Sequence, residues 1–378
     1  MREFDSELKA LLLPLRQMPL SLLSTDDIEF SEIRSELLPF VPLVSIFTAA
    51  YNHGRTIEQT IESLAAQCTS FPYEIIIGED CSCDDTREKV LALQKKYPQK
   101  IVALLHEHNY GFHVNFRNGW QVARGKYYAY CEGDDYWSST DKLQKQVNYL
   151  EAHSEVSAVF SAFSVFEESS QKICECQKKY VKEGKTLILQ LEDAVDLKGE
   201  ALATCTACFR KPLLDEYYRI SIFAKYNFML GDLPQRCFFA LRGTVAVLPE
   251  VLAVYRKNLP GTSASKQKTA AKKFNFCFDS IFIRLNFAKE STANFIPYVN
   301  TMLPHLLYDA WRFRVGNRKF YHNFAIALKH FNVKLSRFDS LLLSVSGMPL
   351  SGWPIRLIMA FRQRYLTSTE TFNEGHTN

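Results

Sequence analysis

Three carboxylates fall within four residues at Glu132-Gly133-Asp134-Asp135, directly after the apolar run KYYAYC. Like charges at this spacing repel, so the cluster needs a compensating purpose. One reading is an acidic turn capping the helix that begins beyond Ser138. The other is a hard-cation site, because Mg2+ or Mn2+ takes carboxylate oxygens and keeps positions open for phosphate oxygens. Gly133 would let backbone come close to a ligand. Two more polar groups follow apolar runs in the same way. Glu79-Asp80 closes YEIIIGED, and Asn109, Gly111, Arg117 and Asn118 come after IVALL.

The surrounding pattern says what must position these groups. VPLVSIFTAA reads as a buried strand feeding the turn-like YNHGR, and Ile57, Ile61, Leu64 and Ala65 then recur at helical spacing. YEIIIGED, IVALL and KYYAYC read as three further strands, each followed by a helical segment. Strand and helix alternate four times between residues 41 and 152. That order predicts an α/β fold, a mostly parallel sheet flanked by helices, because right-handed crossovers place helices on both faces. Ligands bind beyond the carboxyl ends of such strands, where the polar segments lie. Later, VSAVFSAF, TCTACFRK and TVAVLPEVLAVYR read as strands, the lysine-rich stretch 172–185 as a loop or hairpin, and Phe274, Phe278, Ile281 and Leu285 as one helix face. Residues 1–40 are expected to be a helical preface.

Composition narrows the class. Hydrophobic content of 47% suits a globular chain, and a net charge of +4 is too small to imply nucleic acid as a partner. The charge is uneven: residues 301–366 hold ten Lys and Arg against two acids, mixed with Trp311, Phe313, Phe320, Tyr321, Phe324, Trp353, Ile355, Ile358, Met359 and Phe361. Such a mixture fits peripheral contact with an anionic membrane, or a helical subdomain that buries its aromatics. No apolar run is long enough to span a bilayer, and the amino terminus does not read as a secretory signal, so a cytoplasmic location is expected. The ten cysteines are scattered. Cys205 and Cys208 are spaced like half a zinc site but fall in an expected strand, where they would face opposite sides.

Taken jointly, VSIFTAAYNHGRTIEQTIESLAAQ, EIIIGEDCSCDDT, NYGFHVNFRNGWQVARGKYYAYCEGDDYW and DKLQKQVNYLEAH resemble the family 2 glycosyltransferases, which have a GT-A fold. MLGDLPQRCFFALRGTVAVLPEVLAVYR resembles that family's acceptor-side segment. The resemblance covers residues 41–265, implying a nucleotide-sugar-binding half at 41–160 and an acceptor-side half at 161–265. A helical, basic C-terminal extension at 266–378 with a disordered tail is expected to follow.

The resemblance implies an inverting, metal-dependent transferase of the hexosyl or N-acetylhexosaminyl class. It would use a nucleoside-diphosphate-sugar, a UDP-sugar in the first instance, and a glycan or lipid-linked acceptor in surface polysaccharide or glycolipid assembly. By position, Thr48, Ala49, Tyr51 and Asn52 would border the nucleotide, Asp80 would bond the base, and Arg117 would flank it. Glu132 and Asp134 occupy the ends of the family's D-x-D motif, with Asp135 adjacent, as Mg2+ or Mn2+ ligands. Glu132 is one methylene longer than the usual Asp. Asp232 matches the general base. Where relatives carry a histidine after Tyr-Arg, this chain has Asn258, so Arg256 and Lys257 are candidates for holding the diphosphate. His53 falls near the donor rim, while His106, His108 and His113 are expected to be solvated. Two other readings remain: a catalytically silent nucleotide-sugar-binding scaffold, and a sugar nucleotidyltransferase, whose Gly-rich triphosphate loop TAAYNHGRT does not supply.

Overall fold

The computed structural model describes residues 4–23, 29–175, 184–195, 202–257, 269–291, 295–337, 339–340 and 343. Four parallel strands form the first half of the sheet: β2 (Val44–Ala50), β3 (Tyr73–Glu79), β4 (Ile101–His106) and β5 (Tyr127–Tyr130). Between them run α2 (Ile57–Ala65), α3 (Thr86–Lys96) and α4 (Phe112–Val122). Every residue of β3 is buried, which explains its unbroken apolar run: both faces are covered. Ile75 and Ile77 enter one core with Ile57, Ile61 and Val90, and Ile76 enters the other with Phe47 and Phe116.

The second half is mixed. Downstream come β6 (Tyr136–Trp137), α5 (Lys142–Ala152), β7 (Val156–Glu167), β8 (Lys172–Glu175), β9 (Leu187–Leu189), α6 (Leu191–Val195) and β10 (Cys208–Arg210). After α7 (Lys211–Ile220) and α8 (Asp232–Arg242), the long β11 (Thr244–Lys257) lies parallel to β7. With β1 (Phe30–Ile33) at one edge, the order along the sheet is β1-β4-β3-β2-β5-β10-β7-β11-β6, with β8 on β7 and β9 on β11. β10 is antiparallel to both β5 and β7, so its start reaches the rim where β5 ends. The stretch 172–185, expected to be a loop or hairpin, begins with β8, antiparallel to β7, and residues 176–183 lie outside the described residues.

The amino-terminal preface is helical only in part. Helix α1 (Ser6–Leu12) is capped by Asp5, whose side chain accepts from the Leu8 amide, whereas β1 (Phe30–Ile33) is an edge strand antiparallel to β4. α1 packs against α9 (Ala270–Ser291) and α11 (Arg318–His330), with α10 (Ile296–Arg312) between the last two in sequence. In α11, Phe320, Tyr321 and Phe324 are buried, so these rings build core and present no face to lipid. Trp353, Ile355, Ile358, Met359 and Phe361 lie outside the described residues. No helix among the described residues is long and apolar enough to cross a membrane.

Candidate active site

The acidic turn leaves β5 and is fixed from several sides. The Gly133 amide donates to the Ala49 carbonyl at 3.1 Å, tying it to the end of β2. Thr56 and Thr60, one helical turn apart around the start of α2, donate their hydroxyls to the Gly133 carbonyl at 2.8 and 3.1 Å. Thr60 also reaches the Asp135 carbonyl at 2.6 Å. A Cβ at Gly133 would lie 2.4 Å from His53 Nδ1 and 2.9 Å from the Ala49 carbonyl. Close approach thus explains Gly133, but it is approach to the chain itself.

The carboxylates converge. Asp135 is buried, and its Oδ1 accepts the Arg256 amide at 2.7 Å and its carboxylate bonds the Cys205 thiol. Thr204 hydrogen-bonds Glu132 and lies 3.4 Å from Asp232 Oδ2. Asp232, the first residue of α8, is also 3.2 Å from Arg236 Nη2. Burial first, then the charge of Asp134, pushes Glu132 up to about 8. Burial, Asp134 and Glu132 likewise raise Asp135 well above the carboxylate range. Glu132 Oε2 is buried without a hydrogen-bond partner among the described residues. One ligand atom each from Glu132, Asp135 and Cys205 lie within 4.8 Å of one another. A cluster that holds its own negative charge this poorly, with a bare oxygen inside it, fits a hard divalent cation.

Asp80 is organised in the opposite way. Its Oδ1 accepts the Tyr110 amide at 3.0 Å and its Oδ2 the Gly111 amide at 2.8 Å, at the start of α4. His106 Nδ1 lies 3.1 Å from Oδ1, and its Nε2 is 2.9 Å from Asn118 Nδ2. His106 is fully buried, which overturns the expectation that it is solvated; as the last residue of β4 it points inward. His113 departs from that expectation too, because its Nε2 meets the Phe228 carbonyl at 2.6 Å and must therefore carry the proton. His108 is exposed, as expected.

The remaining sequence candidates are dispersed around this rim. Thr48 and Ala49 lie just before the end of β2, and Thr48 Oγ1 is buried with no partner among the described residues. Asn52 has a positive φ of 57°; its amide donates to Ser82 Oγ and its side-chain oxygen accepts the Cys83 amide, so it joins two loops. Tyr51 lies beside it, half-buried. Arg117 sits in α4 with its charge acting on the Tyr218 hydroxyl of α7, and no hydrogen bond or ion pair among the described residues joins it to Asp80 or the acidic turn. The Arg256 guanidinium stacks 5.0 Å from the Tyr136 ring and 5.2 Å from the Phe166 ring, and bonds Gln59. Lys257 ends β11, and Asn258 lies outside the described residues. Thr56, Thr60 and Thr204 were missed by sequence reasoning, and Cys205 was weighed only as half of a zinc site with Cys208. The two α2 threonines carry a signal, as hydroxyls on an otherwise apolar helical stripe. Thr204 and Cys205 form a 3-10 turn instead of the expected strand, and no local pattern announces that.

Fold and site define a class: a mostly parallel α/β sheet flanked by helices, with a buried acidic turn at its carboxyl rim, where ligands of such sheets bind. The profile described as "Glycosyl transferase family 2" matches residues 45–209. A Bacillus subtilis protein named "Putative teichuronic acid biosynthesis glycosyltransferase TuaG" is 30% identical over 259 residues, covering 68% of this chain and 94% of that one. The chain belongs to glycosyl transferase family 2. An uncharacterized Mycobacterium tuberculosis protein is 33% identical over 218 residues, and this chain spans 60% of its length. The crystal structure of S. aureus TarS 1–349 in complex with UDP-GlcNAc shares the fold, with a TM-score of 0.54 at 16% identity over 80% of this chain and 86% of that one.

Proposed function

We propose that the protein transfers a sugar from a nucleoside-diphosphate-sugar to an acceptor hydroxyl, by a single displacement that inverts the anomeric centre. The observation that carries this reading is the convergence of Glu132 and Asp135 from the acidic turn with Cys205 from the 3-10 turn, and of Asp232 from α8 through Thr204, around one partnerless buried oxygen. Family membership supports it. Asp134, Asp135 and Glu132 would hold Mg2+ or Mn2+, which supplies Lewis-acid neutralisation of the leaving diphosphate. Asp232 takes the acceptor proton as general base, and Arg236 and Thr204 hold its carboxylate in place. Thr48, Ala49, Tyr51 and Asn52 border the nucleotide, and Asp80 sets the loop beside the base through the Tyr110 and Gly111 amides. Arg256 lends positive charge near the diphosphate.

The donor we infer is a UDP-sugar. TarS is crystallised with UDP-GlcNAc, and an Escherichia coli relative 36% identical over 109 residues is named UDP-Glc:alpha-D-GlcNAc-diphosphoundecaprenol beta-1,3-glucosyltransferase WfaP. That name and TuaG's also support a glycan or lipid-linked acceptor in surface polysaccharide assembly. A thermal-shift screen of UDP, GDP, CDP and dTDP with and without Mn2+ tests the reading, since a ligand bound only by the native state raises its melting point. A Mn2+-dependent shift with UDP is the expected outcome. No shift with any nucleotide in Mn2+ would overturn it.

A further inference from the structure

The segment carrying Asp232 is not held by its own domain half alone. Residues 225–231 run from a 3-10 turn into the first turn of α8, with no regular element of their own. The amino-terminal segment pairs with them: Leu22 and Tyr226 form an antiparallel bridge, the Leu23 amide donates to the Lys225 carbonyl at 2.8 Å, and the Asn227 amide donates to the Ser21 carbonyl at 3.1 Å. The Ser21 amide returns to Asn227 Oδ1 at 2.8 Å. A second tie runs through α9. Arg16 grips Asp279 with Nε at 2.7 Å and Nη2 at 2.9 Å, and Asp279 Oδ2 accepts the Met229 amide at 2.8 Å. Both side chains of this ion pair are almost wholly buried, at 4% and 0% exposure. Phe228 packs on Phe4, Phe223 and Phe282, and its carbonyl meets His113. At Gly231 a Cβ would come within 2.1 Å of the Phe112 ring.

We infer that Arg16 and Asp279 are positioning residues, which fix the backbone three residues before Asp232 and so aim its carboxylate at the acceptor. The inference rests on the reading of Asp232 as general base. A buried ion pair contributes little net stability against apolar replacements, yet it specifies geometry when its donors are directional. Here the guanidinium fork orients the carboxylate, and the carboxylate's free lone pair orients the Met229 amide. Ordinary fold stability would not need an amino-terminal arginine to reach a carboxylate 263 residues away and share it with the base-bearing loop. Small displacements of a catalytic group cost much in turnover and little in ground-state binding.

Full-length Arg16→Met, Arg16→Lys and Asn227→Ala are compared with the parent by hydrogen exchange of the peptide spanning residues 225–233. Arg16→Met should expose the Met229 amide and speed exchange there by about tenfold, with Arg16→Lys intermediate. Asn227→Ala removes one exposed hydrogen bond, keeps the fold, and should show a smaller rise in the same peptide. Release of UDP from UDP-GlcNAc in Mn2+ is then measured in two backgrounds. Arg16→Met should lower kcat about tenfold with KM unchanged in the parent, and by less than about twofold in Asp232→Asn, because it acts through that carboxylate. Unchanged exchange in Arg16→Met and Asn227→Ala overturns the tie itself. An equal kcat loss in both backgrounds overturns its action through Asp232. Parent-level turnover in Asp232→Asn alone overturns the base assignment, a failure separable from the exchange result.

Discussion

Two parts of the candidate site, the proposed donor side with Thr48, Asn52, Asp80 and the acidic turn and the proposed base side with Asp232, are held by different kinds of contact. On the first of these, Ala49, Asn52, Asp80 and the acidic turn are joined by contacts between loops that follow neighbouring strands or units: Ala49 to Gly133, Asn52 to Cys83, Asp80 to Gly111. On the base side, Asp232 depends on Thr204, Arg236, Asp279, Arg16 and Ser21, drawn from both ends of the chain. Parts of the donor rim can therefore be disturbed one at a time. The base rim shifts as a unit.

The largest effect should break the acidic turn. Asp134→Asn and Asp135→Asn keep shape and remove charge, and should each lower turnover by about 10³-fold, since several kcal/mol of charge stabilisation is lost at about 1.4 per tenfold. Melting points without metal should stay level or rise, because a mutual repulsion is removed. Parent-like turnover together with parent-like UDP affinity in Mn2+ would remove the metal assignment.

Next comes Asp232→Asn on the opposite rim, with a loss of about 10²-fold in kcat and little change in UDP affinity. A variant that loses UDP binding but keeps turnover at saturation would make Asp232 a donor-side residue and erase the contrast.

Asp80→Ala should act on the donor rim alone. Truncation leaves the Tyr110 and Gly111 amides without their acceptor, which costs about 1–3 kcal/mol of stability and weakens UDP binding through the loop they start. Calorimetric unfolding and UDP titration check both. An unaltered melting point would mean that the loop is held by other contacts.

The smallest effect concerns pH. Glu132 is raised from an ordinary glutamate value to about 8, so the folded, metal-free protein binds a proton that the unfolded chain releases at lower pH. Its contribution is fully present below about pH 4.5 and fades as pH rises through about 8. Mn2+ competes with that proton, so the melting-point rise given by Mn2+ should grow between about pH 6 and pH 8.5. A rise independent of pH over that interval would place the cation away from Glu132.

How much of this was legible follows the same division. The four strand–helix units could be read because each buries a local pattern: Ile57, Ile61 and Leu64 on α2, or the unbroken YEIIIGE of β3. The acids at the strand ends were legible as residues, since charge directly after a buried run has few structural uses. Their states were not. Asp80 and Asp135 are both buried aspartates, but the former accepts two backbone amides whereas the latter accepts one and lies under the charges of Asp134 and Glu132, and residue type carries no trace of that. His106 looked like a loop residue for the same reason, although the strand before it runs one residue longer than its apolar stretch.

By itself, then, the sequence determined the strand–helix alternation, the rim on which polar groups gather, and the identity of the acids there, because these depend on side-chain periodicity and short-range backbone preference. Tertiary structure alone decided which carboxylates are buried side by side, which accept backbone amides, and that Arg16 reaches Asp279. Those outcomes depend on desolvation and on contacts closed across hundreds of residues, and the chain encodes them only through the whole packing of the fold.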